Sequence, residues 1–328
     1  MTVEPENLYK SERLETFNTP RETVQSVTGK LRVVVTGGSG RIGSEVIRAL
    51  LARGHRPVNL DLAKPAVDNC PYHQIDMTDR AAVRKAIEGA DAVCHLAEIP
   101  NIMDPLTEDG VFSANTASTA HVLQAAADFN LKHAIYTSTC QVYGCWGFHQ
   151  IPPEKLPFDE DLPLRPQNAY ALSKVANEGF ARLMTLRHNL SIAIFRFPWV
   201  MSKEIESAQS TGWPLLRQAL GEIDGFGTYL HVSDAASAYV QSLENPRPGC
   251  EAYHFVADDV FSATPIRTRI RESFKNFPEL PANWPDFQSP VSTRKAKTLL
   301  NWSPKFSARE AHRRFFGHLP APESVSAV

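Results

Sequence analysis

Thr36-Gly37-Gly38-Ser39-Gly40-Arg41-Ile42-Gly43 follows the short β-branched run Leu31 to Thr36 and precedes Ile42 to Leu51, whose apolar residues recur at helical spacing. The order is strand, glycine turn, helix. Glycines at 38, 40 and 43 satisfy G-x-G-x-x-G, and those at 37, 40 and 43 satisfy a variant with two residues between each pair. The spacing suits a tight turn without Cβ clashes, close backbone approach to a pyrophosphate, and tight packing of helix on sheet. The N–H groups opening the helix, around Arg41 and Ile42, offer a favourable dipole to phosphates. In this context the turn reads as a dinucleotide site.

Outward from the turn, strands and helices alternate. Pro57 to Leu60 reads as a second strand ending at Asp61, and Tyr72 to Ile75 as a weaker third ending at Asp76. A helix follows at Thr78 to Glu88, a strand at Ala92 to Leu96, an alanine-rich helix at Ser113 to Phe129 and a strand at His133 to Ser138. The proline-rich stretch Gly147 to Gln167 reads as an irregular loop over the carboxyl edge of the sheet. Asn168 to Leu186 returns to helix and Leu190 to Arg196 to strand. Later come possible helices at Trp213 to Leu220 and Ser233 to Leu243, a strand at Ala252 to Val256 and a proline-broken tail from Phe277. This alternation predicts an α/β fold: a doubly wound parallel (Rossmann) sheet with a smaller C-terminal substrate lobe. The expected division is an N-terminal extension over 1–30, a NAD-binding Rossmann domain over 31–196, and a mainly substrate-binding lobe over 197–328, some of whose segments return to the Rossmann domain.

Composition narrows the function classes. The chain has 328 residues, 43% of them hydrophobic, and a formal net charge of −2, which supplies no field for nucleic acid or an anionic membrane. No segment approaches the ~20 apolar residues that cross a bilayer, and the charged N-terminus lacks a secretory h-region. The expectation is a cytoplasmic protein with a small-molecule partner. Five cysteines without metal or redox spacing read as unpaired thiols, and no His/Asp/Glu cluster has metal-ligand spacing, so no metal is expected.

Three further groups carry chemistry. Asp61 stands eighteen residues beyond Gly43, where a carboxylate accepts from both adenosine ribose hydroxyls and repels a 2′-phosphate, favouring NAD over NADP; the other reading is an aspartate ending a strand at a turn. Asp76 and Met77 are placed to reach the adenine, or Asp76 caps a turn. Tyr170 and Lys174 are four apart on a helix and share a face, so the ammonium favours the phenolate; a surface pair is the alternative. Tyr136 to Gly144 puts hydroxyls at the carboxyl end of the fifth strand, suited either to a substrate oxygen or to an ordinary turn.

In order, TGGSGRIG, Asp61, HLAEIP at 95–100, Asn115, STCQVYG at 138–144, YALSK at 170–174 and HVSDAASA at 231–238 resemble the NAD-dependent epimerase/dehydratase family, the extended branch of the short-chain dehydrogenases. The resemblance implies tightly held NAD, Tyr170 as acid/base, Lys174 on the nicotinamide ribose and on the tyrosine pKa, and Thr139 as hydroxyl partner. It also implies cofactor contacts from Leu96, Ala97, Asn115 and Thr137, and a homodimer built on the helices around 113–129 and 168–186; beside these groups, Ser138, Cys140, Gln141 and Trp199 are the expected substrate contacts.

The departures matter too. Trp199 stands where nucleotide-sugar members often carry asparagine, and Gly227 where they carry an arginine that would pair with a diphosphate. Cys140-Gln141 replaces the Asp-Glu pair of sugar 4,6-dehydratases. The expected function is therefore a NAD-dependent oxidoreductase or epimerase acting on a sugar or sugar-derived hydroxyl, not a 4,6-dehydratase. Three alternatives stand beside it: a UDP-sugar 4-epimerase, an NADP-linked carbonyl reductase, and a non-catalytic dinucleotide-sensing module.

Overall fold

The computed structural model describes residues 29–66, 69–100, 107–145, 151–202, 226–262, 264–273 and 276–316. The expected helix at Trp213 to Leu220 and nearly all of the expected N-terminal extension lie outside them.

Strand β1 (Arg32–Thr36) lies inside a seven-stranded, all-parallel sheet. The other strands are β2 (Arg56–Asp61), β3 (Tyr72–Gln74), β4 (Ala92–His95), β5 (His133–Thr139), β6 (Ser191–Phe197) and β9 (Cys250–His254), in the order β3-β2-β1-β4-β5-β6-β9. From β1 the chain winds first through β2 to β3 and then, on the other side, through β4 to β9. The reversal between β1 and β4 opens the crevice in which this sheet type binds ligands.

Burial on both faces explains why β1 reads as RVVVT rather than as an alternating strand. Val33 and Val35 point into a core shared with α1 (Arg41–Ala52) and α5 (Val232–Glu244), together with Phe195, Phe255 and Trp302. Val34 points the other way, towards α2 (Arg80–Ile87), α3 (Glu108–Asp128) and α4 (Ala169–His188), whose Val122, Leu123, Ala126, Ala181 and Met184 fill that side.

The chain beyond β6 is not a separate lobe throughout. Strand β9 extends the main sheet, and α5 packs on α1. Two further strands, β7 (Trp199–Met201) and β8 (Tyr229–His231), form a small parallel pair of their own that the sequence did not announce. Of three further short helices, α6 (Ile266–Ser273) precedes the expected proline-broken tail, and α7 (Arg294–Leu300) and α8 (Ala308–Phe316) interrupt it. Buried Tyr229 joins these parts: its hydroxyl donates to Asp259 Oδ1 at 2.5 Å and accepts from the Ala308 amide at 2.6 Å. Among the described residues no helix is long and apolar enough to cross a membrane, and none of the five cysteines is in a disulfide.

Candidate active site

The glycine turn is shaped by close approach. A Cβ on Gly43 would lie 2.1 Å from the Gly37 carbonyl oxygen, so only hydrogen allows α1 to start against the turn. Gly37 has φ +69°, and a Cβ there would meet the Ala97 amide nitrogen at 2.8 Å, which locks the turn over the end of β4. Gly40 is the N-cap of α1 and brings no side chain to its first turn, leaving that end to an anion. Arg41 directs its guanidinium to the Val200 carbonyl at 3.3 Å, tying α1 to β7.

Asp61 ends β2 beside this turn. Its Oδ2 accepts from the Ser39 amide and its Oδ1 from the Ala63 amide, both at 3.0 Å, and the carboxylate stays partly open to solvent. A phosphate brought to the uncapped helix end would place a ribose within the range of Asp61, so the residues present fit NAD. Asp76 forms a turn, its Oδ1 accepting from the Thr78 amide and hydroxyl at 2.8 and 2.7 Å, which holds its carboxyl below the usual range. Met77 is buried beside it. The amides of Leu96 and Ala97 donate to Thr36 Oγ1, each at 3.1 Å.

Tyr170 is the second residue of α4 and its aim is set by the residue that starts the helix. Asn168 caps α4 by accepting from the Ala171 amide at 2.7 Å, and its Nδ2 donates to Gln141 Oε1 at 3.2 Å. This pins the first turn of α4 to the end of β5, where Thr139 caps the following 3-10 turn through the Gln141 amide. Burial pushes the Tyr170 phenol up to about 12, and the Thr139 side chain works against that rise.

One turn further, Lys174 is 3% exposed. Its Nζ lies 5.4 Å from the centre of the Tyr170 ring and 5.2 Å from that of Tyr136, and donates to the Thr137 carbonyl at 2.6 Å. Burial lowers its pKa to about 7, and the Glu178 carboxylate works against that fall. The ammonium is also ion-paired with Glu98, whose side chain is 3% exposed. Thus Thr139, Tyr170 and Lys174, named from the sequence, converge on the carboxyl edge of the sheet.

Other expected site residues are placed differently. Ser138 does not present its hydroxyl to the crevice; it is 2% exposed and donates to Glu178 Oε1 at 2.8 Å. Cys140, at 1% exposed, turns its Sγ towards the Arg196 carbonyl at 3.6 Å. Burial in the polar layer under the site accounts for both. Thr137 uses its hydroxyl on the His95 carbonyl and on Tyr239. Asn115 clamps Ile99, accepting from its amide at 2.8 Å and donating to its carbonyl at 3.0 Å. Trp199 is partly buried against the cluster of Met201, Tyr229 and Phe261.

Sequence reasoning gave no role to Glu98, Asn177 or Glu178. The available signal was a carboxylate placed just beyond an apolar strand end, and another one helical turn beyond Lys174.

Comparison with known proteins finds relatives that match over most of the chain. A UDP-glucose 4-epimerase from Oryza sativa subsp. japonica is 25% identical over 88% of this chain and 82% of its own. A dTDP-glucose 4,6-dehydratase from Streptomyces niveus is 28% identical over 84% and 88%. Among solved structures, a NAD-bound short-chain dehydrogenase/reductase superfamily protein from Agrobacterium tumefaciens superposes with TM-score 0.65 at 21% identity, over 86% of this chain and 95% of its own. UDP-glucose 4-epimerase from Thermotoga maritima, solved with UDP-glucose, gives 0.64 at 18% identity over 88% and 100%. The model of the NAD dependent epimerase/dehydratase family matches residues 33–257. With the glycine turn, Asp61 and the Thr139, Tyr170 and Lys174 set in place within that span, the chain belongs to the NAD dependent epimerase/dehydratase family.

Proposed function

We propose that this protein is a NAD-dependent oxidoreductase or epimerase acting on a hydroxyl of a sugar or sugar-derived polyol, aldonate or lactone. The observation that carries the reading is the Lys174 ammonium 5.4 Å from the Tyr170 ring, with Thr139 ending β5 beside the same turn of α4. Tyr170 as phenolate takes the hydroxyl proton, Thr139 orients the oxygen, and Lys174 favours the phenolate. NAD, when bound, would supply the hydride acceptor for the carbinol carbon. Gly37, Gly40, Arg41, Ile42 and Gly43 would hold its pyrophosphate, Asp61 its adenosine ribose, and the Asp76–Met77 and Leu96–Ala97 segments the surrounding wall. Segments beyond β6 that do not return to the sheet would frame the substrate.

A UDP-sugar 4-epimerase is the second reading, favoured by the names of the relatives that match over most of both chains. Gly227 weighs against it. It turns with φ +67° and accepts from the Phe261 amide at 2.7 Å, at the place where nucleotide-sugar members carry a diphosphate-binding arginine. Free sugars, sugar acids and UDP-sugars, each incubated with enzyme and NAD at 340 nm, separate the readings. Stoichiometric NADH from a free sugar or sugar acid supports a dehydrogenase. Interconversion of a UDP-sugar without NADH release identifies the epimerase and displaces the leading reading.

The protein is further proposed to be a cytoplasmic homodimer. Leu172, Leu183 and Leu186 are exposed along one face of α4, which packs beside α3. Such a stripe on a helix suits a four-helix interface between two copies.

A further inference from the structure

Glu98 lies three residues beyond β4, in a loop held by Asn115 on Ile99 and by Ser118 Oγ on the Ala97 carbonyl at 3.1 Å. Its side chain points back into the protein. Oε1 accepts from Asn177 Nδ2 at 2.7 Å, Thr119 Oγ1 at 2.9 Å and the Tyr136 hydroxyl at 3.1 Å, while Oε2 meets Lys174 Nζ. Every partner is a donor, and they come from α3, α4 and β5.

The hydrogen-bond chain behind Thr119 runs in one direction. Thr36 Oγ1 already accepts two backbone amides, so its own proton goes to His95 Nδ1 at 2.7 Å. His95 Nε2 then donates to Thr119 Oγ1 at 3.1 Å, and Thr119 donates to Glu98. Burial pushes the imidazole down to about 3, with Lys174 adding to the fall, so this ring is neutral. A chain from the last residue of β1 thus terminates on the carboxylate.

A carboxylate taken out of water is costly unless it is paired and hydrogen-bonded. Here three elements turn polar groups towards one carboxylate, directly behind the catalytic lysine. An ammonium has three N–H donors. Lys174 gives one to Glu98 and one to the Thr137 carbonyl, which leaves one for the crevice beside Tyr170. We propose that Glu98 is a positioning residue acting through Lys174: its carboxylate keeps the buried ammonium charged and fixes its direction towards Tyr170. A donor-only surround makes Glu98 a poor proton acceptor, so its action is electrostatic and geometric rather than a proton relay.

The charged and titratable groups facing Lys174 are Glu98 from the β4–α3 loop, Glu178 and Tyr170 from α4, Tyr136 from β5 and His95 from β4. Of these, the Glu98 carboxylate is the one in ion-pair contact with it. A Glu98→Gln side chain keeps one accepting oxygen and removes the counter-charge, but it turns its amide NH2 towards a donor, so Glu98→Asp, which keeps the charge, is its control.

The inference rests on the reading of Lys174 as a catalytic group, and its test reads the charge of Lys174 without turnover. The full chain is labelled with 13C-lysine, and the Cε shift of Lys174, assigned by its loss in Lys174→Met, is followed against pH. Burial against Glu178 leaves Lys174 at about 7, and the Glu98 counter-charge should lift the midpoint in the unsubstituted protein above about pH 8. Glu98→Gln should lower the midpoint by about one pH unit or more, and Glu98→Asp should restore part of the shift. A midpoint of about 7 or below in the unsubstituted protein overturns the proposal whether or not any variant folds. An unchanged midpoint in Glu98→Gln overturns it equally. An active Lys174→Met enzyme would instead overturn the catalytic reading of Lys174 and leave the titration standing.

Discussion

Arg196 holds Glu178 through two parallel hydrogen bonds, Nε to Oε1 at 2.9 Å and Nη2 to Oε2 at 2.7 Å, with both side chains withdrawn from solvent. The same guanidinium donates to the Tyr143 hydroxyl at 2.5 Å and the Glu160 carbonyl at 2.9 Å. Tyr143 meets His254 Nε2 at 2.5 Å. One cation thus joins β6, α4, the turn after β5, the proline-rich loop and β9.

Removing one partner of a buried pair strands the other. Arg196→Met should cost about 3–5 kcal/mol of folding stability, measured by urea unfolding. The double variant Arg196→Met/Glu178→Leu should recover part of that loss, because no charge is left uncompensated. A double variant less stable than either single one would contradict this account of the network.

Three buried histidines set the acid limit. Burial pushes His95 and His254 down to about 3 and His133 down to about 4. Below the unfolded value near ~6.5 the unfolded chain binds protons that the folded chain refuses, so stability falls as the pH falls from there towards the folded values. Each histidine contributes a slope of at most ~1.4 kcal/mol per pH unit, or ~4 for the three together. Glu178, held below the usual carboxylate range by Arg196 against the effect of burial, keeps its contribution until the pH drops below the ordinary carboxylate value. Urea midpoints at pH 7, 6 and 5 should therefore decline steadily. A flat profile across that range would contradict it.

The parts legible in the sequence were those whose signal is local. The strand, turn and helix around Gly37 to Gly43, and the four-residue step from Tyr170 to Lys174, put cause and consequence within one segment. Helix α3 begins at Glu108, ahead of the expected Ser113, because its polar first turn carries no apolar period although Glu108 and Asp109 suit a helix N-terminus. Strands β7 and β8 have three residues each and find each other across a long intervening stretch, so no alternation could reveal them. Glu98 was plain as a letter and opaque as a function, since its partners Thr119, Tyr136, Lys174 and Asn177 converge from three other elements only in the folded chain.

Cofactor choice should turn on Asp61. Asp61→Ser removes the carboxylate that would receive the ribose hydroxyls, a loss of hydrogen bonds to a charged group worth about 1.5–3 kcal/mol, or roughly tenfold to a hundredfold in NAD affinity. NADP affinity should rise in the same variant. Calorimetry with both cofactors checks this, and tighter binding of NADP than NAD by the unsubstituted protein would overturn the reading.

Assembly should depend on the exposed face of α4. Leu183→Glu/Leu186→Glu places charge on the stripe and should convert a dimer to a monomer in sedimentation velocity, with the far-ultraviolet circular dichroism unchanged. A monomeric unsubstituted protein would dismiss the proposed interface.

The central claim is that Tyr170 moves the substrate proton. The most direct measurement compares Tyr170→Phe with the unsubstituted enzyme in NAD calorimetry and in turnover of the sugar identified at 340 nm. The variant should bind NAD within about threefold of the unsubstituted enzyme and lose turnover by about 10²–10⁴-fold. Turnover within a few-fold of the unsubstituted enzyme would contradict the claim.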